Sequence, residues 1–126
     1  MADVSPIIPA GRQVIESYGS GSFRISGERY LHSVLVQGDT TAVWAVTDWA
    51  DVVAGPLLAL GGEVDRPTTL LIGTGEKQHF PSRAFRQELR AAGLVIETMN
   101  TGAACRTYNV LMAEGRDVAA ALIAVA

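Results

Sequence analysis

The chain has 126 residues, 48% of them hydrophobic, and a formal net charge of -3. That length suits one domain able to bury its own core, and a pI near 5.3 argues against a general nucleic-acid binder. The single cysteine, Cys105, excludes an internal disulfide and a multi-cysteine zinc site, and no stretch approaches the ~20 apolar residues of a membrane span.

Residues 1–11 contain Pro6 and Pro9 and no periodic pattern. They are expected to form an extended lead-in to a single domain over 12–126. The N-terminus also lacks the basic start and apolar core of a secretory signal, so a cytoplasmic protein is expected, neither integral to a membrane nor bound to nucleic acid. Gly19-Ser20-Gly21 reads as a turn, and Phe23 to Ser26 alternates as a half-buried strand does. After a turn at Gly27-Glu28, Tyr30 to Val36 reads as one strand. Gly38-Asp39 punctuates, and Thr41 to Thr47 is strongly β-prone. This half predicts an antiparallel meander with short glycine turns.

Gly55-Pro56 interrupts the apolar middle. Proline suits the first turn of a helix, so a short helix is expected over Pro56–Leu60, ended by Gly61-Gly62. Thr68 to Ile72 predicts a buried strand. Ser82 fits the N-cap of a helix over Arg83–Ala92, with Phe85, Leu89 and Ala92 as its buried stripe and Gly93 at C′. Leu94 to Met99 predicts the next strand. A helix over Gly102–Ala113 follows, capped by Thr101 and stopped by Gly115. The alanines of the closing segment, Asp117 to Val125, also suit a helix, but Val118, Ile123 and Val125 favour a strand. Strand–helix–strand connections of this length make the strands parallel. The expected fold is α/β, a three-layer single domain with a mixed central sheet: antiparallel meander first, strand–helix–strand units second.

A candidate site follows from that order. Ligands of open α/β sheets sit beyond the carboxyl ends of the strands. Gly73, Thr74 and Gly75 follow one parallel strand, and Asn100, Thr101 and Gly102 follow another. The first turn of the following helix offers free N–H groups and a positive dipole end. Arg106 lies one turn in, on a helix apolar nearly all round, where a charge needs a partner. These seven residues make a hypothetical anion or small-molecule pocket. The alternative is structural: strand-end glycines as turns, and Arg106 paired with Asp48, Glu76 or Glu97.

Other chemistry is thinner. Cys105 near a helix start could be activated, with His32 or His79 as base, yet a cysteine among small residues is normally packing. The two histidines lack metal-ligand spacing, so neither a metal nor a cofactor is expected. Arg83, Arg86 and Arg90 share a helix face that reads first as solvated, and otherwise as a dock for an acidic protein or a phosphate backbone. Trp44 suits the core, whereas Trp49 is less constrained.

Several stretches carry a resemblance. They are Tyr18-Gly19 with Phe23-Arg24-Ile25, Trp44, Leu71 to Gly75, Met99 to Leu111, Glu114 to Arg116 and Val118 to Leu122. Through them the chain resembles a small-domain family of unknown function that includes the third mitochondrial complex I assembly factor and the adipogenesis-associated domain protein. The resemblance implies the three-layer fold with a mixed central sheet and brings no catalytic residue, cofactor or reaction. It implies an assembly or protein-interaction role, with a respiratory-complex or membrane-protein assembly intermediate as the kind of partner. The leading expectation is thus a non-enzymatic module with self-association as an option, and the alternative is a small-molecule or anion-binding protein, an enzyme included, using the two loops and Arg106. Many relatives carry aspartate where this chain has Asn100.

Overall fold

The structure, a computed structural model, describes residues 11–126; apart from Gly11, the expected lead-in lies outside the described residues. In chain order the elements are β1 (Ile15–Gly19), β2 (Ser22–Ile25), β3 (Glu28–Tyr30), β4 (Val34–Gln37), β5 (Thr40–Val43), β6 (Thr68–Gly73), α1 (Arg83–Ala91), β7 (Leu94–Met99), α2 (Thr101–Ala113) and β8 (Val118–Leu122). The meander is divided between two sheets. Strands β1-β2-β3 form a small antiparallel sheet, and β5-β4-β8-β6-β7 form the central one. In the latter β6 runs parallel to β7 and β8, while β4 is antiparallel to β5 and β8.

The division corrects the single strand expected over Tyr30–Val36. The chain leaves the small sheet after Tyr30 and joins the central one at Val34. Ser33 is buried at the crossing, where its Oγ accepts the Ala124 N–H at 2.9 Å and its carbonyl accepts the Trp44 N–H at 2.9 Å. β5 is shorter than the expected Thr41–Thr47, because Val46 N–H turns back onto the Trp44 carbonyl at 2.8 Å. The helix expected over Pro56–Leu60 is a 3-10 segment, Gly55–Leu60, that buries Leu57 and Leu60.

Alternation along the central strands splits the core into two. Val34, Val36, Leu71, Val118, Ala120 and Leu122 face the small sheet and α2, joining Phe23, Ile25, Cys105, Tyr108 and Met112. Leu70, Ile72, Ala119, Ala121 and Ile96 face the other way, against Leu89 of α1, Leu57 and Trp44. This is the expected three-layer α/β arrangement. The closing segment is a strand because β8 sits between β4 and β6 with all five residues buried; its three alanines let helices and sheet approach closely on both faces.

Helix α1 starts as expected, with Ser82 Oγ accepting the Phe85 N–H at 3.1 Å. Helix α2 starts one residue early, at Thr101, and Asn100 is its cap, its Oδ1 accepting the Ala103 N–H at 2.8 Å. Thr101 cannot cap because its hydroxyl serves elsewhere.

Candidate functional site

From β6 the chain crosses through α1 to β7 on one side, then returns through α2 to β8 on the other. The two helices pack into opposite cores. The topological switch point, where ligands of open α/β sheets are expected, therefore lies between the carboxyl ends of β6 and β7, whose following helices go to opposite faces. An open crevice of about 320 Å³ lies beside it, beyond the carboxyl ends of β6 and β8, lined by Thr74, Gly75, Glu76 and Lys77 after β6, by Ile123 to Ala126 after β8, and by Thr47, Asp48, Trp49 and His79. Its rim is aromatic. The Trp49 and His79 rings stack with centroids 6.0 Å apart at 13°, and Phe85 meets Trp49 edge-on at 6.2 Å.

The two loops singled out from the sequence do lie together: Gly73 pairs with Met99 at adjacent parallel strand ends. They are bonded to each other. Thr101 N–H donates to the Gly75 carbonyl at 2.8 Å and Thr74 N–H to the Met99 carbonyl at 2.9 Å. Thr101 Oγ1 accepts the Gly75 N–H at 3.0 Å and donates to the Ile123 carbonyl at 2.7 Å. Thr74 Oγ1 donates to the Lys77 carbonyl at 2.6 Å, with the Met99 carbonyl 3.2 Å away, and accepts the His79 N–H at 3.1 Å. Gly73 is confined by this closure. A Cβ there would lie 2.9 Å from Thr101 Cα and 3.1 Å from Leu122 Cδ2. Thr74 and Gly75 line the crevice; Asn100, Thr101, Gly102 and Arg106 do not.

Arg106 corrects the expectation of a shielded charge. It is exposed, and its Nη1 donates to Tyr18 Oη at 2.8 Å. None of Asp48, Glu76 and Glu97 pairs with it; the ion pairs among the described residues are Arg24–Glu16 and Arg116–Glu114. The Tyr18 ring lies over Gly102, where a Cβ would come within 2.6 Å of Tyr18 Oη. One turn on, Asn109 grips the edge of β1 with both ends of its amide. Its Oδ1 accepts the Ile15 N–H at 3.0 Å and its Nδ2 donates to the Ile15 carbonyl at 2.7 Å. Tyr108 Oη donates to the Gln13 carbonyl at 3.0 Å, and burial raises the Tyr108 phenol pKa. The most distinctive motif of the chain thus holds the small sheet onto α2. The signal for this was present in the sequence as a polar stripe, Arg106 and Asn109, on a buried helix.

Cys105 is packing. It is buried among apolar neighbours, and burial pushes its thiol pKa up to about 12 against the opposing pull of the Arg106 charge. A thiol so disfavoured as thiolate is a poor nucleophile. His32 Nδ1 sits 2.9 Å from the Ser33 carbonyl, and His79 stacks on Trp49. Among the described residues no cluster of three or more acidic, histidine or cysteine side chains could hold a metal ion. Of the arginine face, Arg86 is structural: its Nη1 donates to the Ile96 carbonyl on β7 at 3.3 Å.

Comparison with known proteins places this geometry. A family described as a protein of unknown function, DUF498/DUF598, matches residues 15–123, which run from the start of β1 past the end of β8. The chain belongs to this family. It is 41% identical over 115 residues to an uncharacterised protein of Rhodobacter capsulatus, covering 90% of this chain and 86% of that one. It is 30% identical over 109 residues to NADH dehydrogenase [ubiquinone] 1 alpha subcomplex assembly factor 3 of Homo sapiens, covering 86% of this chain and 59% of that protein. The solution structure of a Bordetella pertussis protein, described as a Mth938-like domain, superposes with a TM-score of 0.79 at 30% identity, covering 97% of this chain and 92% of that one. No helix among the described residues is long and apolar enough to cross a membrane.

Proposed function

We propose that this domain is a non-enzymatic protein-interaction or assembly module, a bacterial-type counterpart of the assembly factor it is similar to, working in the cytoplasm on a respiratory-complex or membrane-protein assembly intermediate. The observation that carries the reading is the extent of that similarity: it covers 86% of this chain, so what is shared is the whole domain. The site chemistry supports it. Among the described residues the strand-end loops satisfy one another, and Cys105 is held as the thiol. The crevice offers instead an aromatic rim, Trp49 and His79, and Phe80, next in the chain to His79, is 75% exposed. Aromatic side chains at such a rim are what interface hot spots are made of. The lone reduced cysteine fits a cytoplasmic setting.

Affinity purification of the tagged chain from its native cell, in parallel with Trp49→Ala, tests this. A partner enriched on the parent and lost from a folded Trp49→Ala protein supports it. A partner retained equally by both defeats the rim as the docking site, and failure of the parent to enrich any protein defeats the module itself. The exposed Arg106 guanidinium, without a carboxylate partner among the described residues, favours a second reading, an anion-binding protein that reads a phosphate-like group at the Arg106–Tyr18 surface.

A further inference from the structure

The two sheets end in four strand edges, and they are not treated alike. At β1 the Ile15 N–H and carbonyl are both taken by Asn109. At β7 the Ile96 and Thr98 carbonyls are taken by Arg86 and by Gln78 Nε2, the latter at 2.9 Å. β3 is three residues long and carries Glu28 and Arg29. Among the described residues β5 has none of these guards. Its sequence Thr40-Thr41-Ala42-Val43 is uncharged, β-prone and free of proline, which is the kind of edge that pairs with another strand.

Register says which groups are open. Gly38-Asp39 forms a two-residue turn between Gln37 and Thr40, and Leu35 faces Ala42. Residues 40, 42 and 44 therefore bond inward to β4, as the Trp44 N–H to Ser33 carbonyl bond shows. Thr41 and Val43 point their N–H and carbonyl groups outward, and these have no partner among the described residues. Beside them Val43 is 62% exposed and Leu31 70% exposed. They flank a groove of about 260 Å³ with Trp44 in its wall. The Trp44 indole N–H is buried and has no acceptor among the described residues, so this groove is unfinished in polar terms as well.

We infer that β5 is a self-association edge, at which a second copy of this chain adds its own β5 antiparallel to make a continuous ten-strand sheet. The strand is its own complement. With Ala42 on the two-fold axis, Thr41 of each copy faces Val43 of the other, and all four outward groups of both copies are paired. Asp39 then falls opposite Ala45, so no like charges meet. Val43 and Leu31 of the two copies cover each other. A charged partner strand would gain nothing from this uncharged edge, whereas an identical one matches it in register, length and polarity. This inference stands apart from the aromatic-rimmed crevice and does not depend on what binds there.

Sedimentation equilibrium over a dilution series, combined with amide exchange at Thr41 and Val43, is the test. The expected mass rises with concentration toward twice 13.3 kDa, and the two amides become protected in step with it. Val43→Lys, at an exposed position, should keep the parent's circular dichroism, and its melting curve at dilutions where both are monomeric, while weakening dimerisation roughly tenfold or more. Val110→Lys, equally exposed but on α2, should leave dimerisation unchanged. A species monomeric at every concentration overturns the inference, whether its Thr41 and Val43 amides are protected or not. So does a dimer that Val43→Lys leaves intact.

Discussion

Asn109→Ala removes the side chain that, among the described residues, satisfies the Ile15 backbone at the edge of β1. Two hydrogen bonds go, at 3.0 and 2.7 Å, and the Ile15 N–H and carbonyl are left without partners at a residue only 5% exposed. A neutral hydrogen bond contributes about 1 kcal/mol net, and a buried polar group left unsatisfied costs about 1–3 kcal/mol. The expected loss is therefore about 2–4 kcal/mol. For a domain of this size each kcal/mol moves the melting point by roughly 3–5 °C, so a fall of roughly 6–20 °C is expected. Urea unfolding should show a lower midpoint with an unchanged slope. The Ile15 amide should exchange faster than those of β6, since the lost grip is local to the small sheet.

Asn109→Asp separates this mechanism from simple packing. The carboxylate can still accept from the Ile15 N–H, but it cannot donate to the Ile15 carbonyl. Facing that carbonyl, its folded-state pKa should lie above the ordinary carboxylate value of about 4. The folded state then holds a proton that the unfolded state has released. That contribution is fully present below the unfolded pKa and is lost as pH rises through the folded one. Relative to the parent, the variant should gain stability as pH falls from neutrality to about 4. If Asn109→Ala stays within about 0.5 kcal/mol of the parent, or Asn109→Asp shows no relative gain in acid, the bidentate grip is not what holds the small sheet.

Two glycine variants should differ: Gly73→Ala meets the Thr101 backbone and should cost about 1–3 kcal/mol, whereas Gly102→Ala meets only the tip of the exposed Tyr18 ring and should change stability by less than about 1 kcal/mol in denaturant titrations. Native Cys105 should react with a thiol reagent only as fast as the protein opens. Because burial raises its pKa to about 12 in the folded state, the thiol's contribution to stability should be intact below the ordinary thiol range and be lost as pH climbs toward 12; rapid stoichiometric labelling at neutral pH contradicts this. Arg106→Met should unfold within about 0.5 kcal/mol of the parent, as its bond to Tyr18 is exposed. Phosphate or sulfate at fixed ionic strength should then raise the parent's melting point and not the variant's if the anion-binding reading holds, and equal responses reject that reading.

Much of the fold was legible because its signals are local. Ser82 before the Phe85–Leu89 stripe, Gly93 after it and the unbroken Thr68–Ile72 run each declare their element within a few residues. The partition of the meander was not legible. Leu31 to Ser33 look as β-prone as their neighbours, and what breaks the strand is Ser33 meeting Ala124, 91 positions away. The cap at Asn100 was missed for a related reason. Thr101 is a fair cap by type, but its hydroxyl is claimed by Ile123 and Gly75 from distant elements, and Asn100 takes the vacant role.

The site shows how far residue chemistry can be read without contacts. A polar residue on a buried helix demands a partner, and the sequence states that demand at Arg106 and Asn109 without saying who meets it. At Asn109 the protein meets it, through Ile15 on β1, whereas Arg106 reaches out to solvent and bonds, among the described residues, only the exposed Tyr18 hydroxyl. The same accounting applied to the strand-end loops finds Thr74, Gly75 and Thr101 answered by each other and by Ile123. Carried through to the sheet edges, it singles out the backbone of Thr41 and Val43, next to the buried Trp44 indole, as unanswered among the described residues. Demand left unmet inside one chain is where a second molecule has something to supply, which is why the edge of β5, and not the glycine loops, carries the case for an interface.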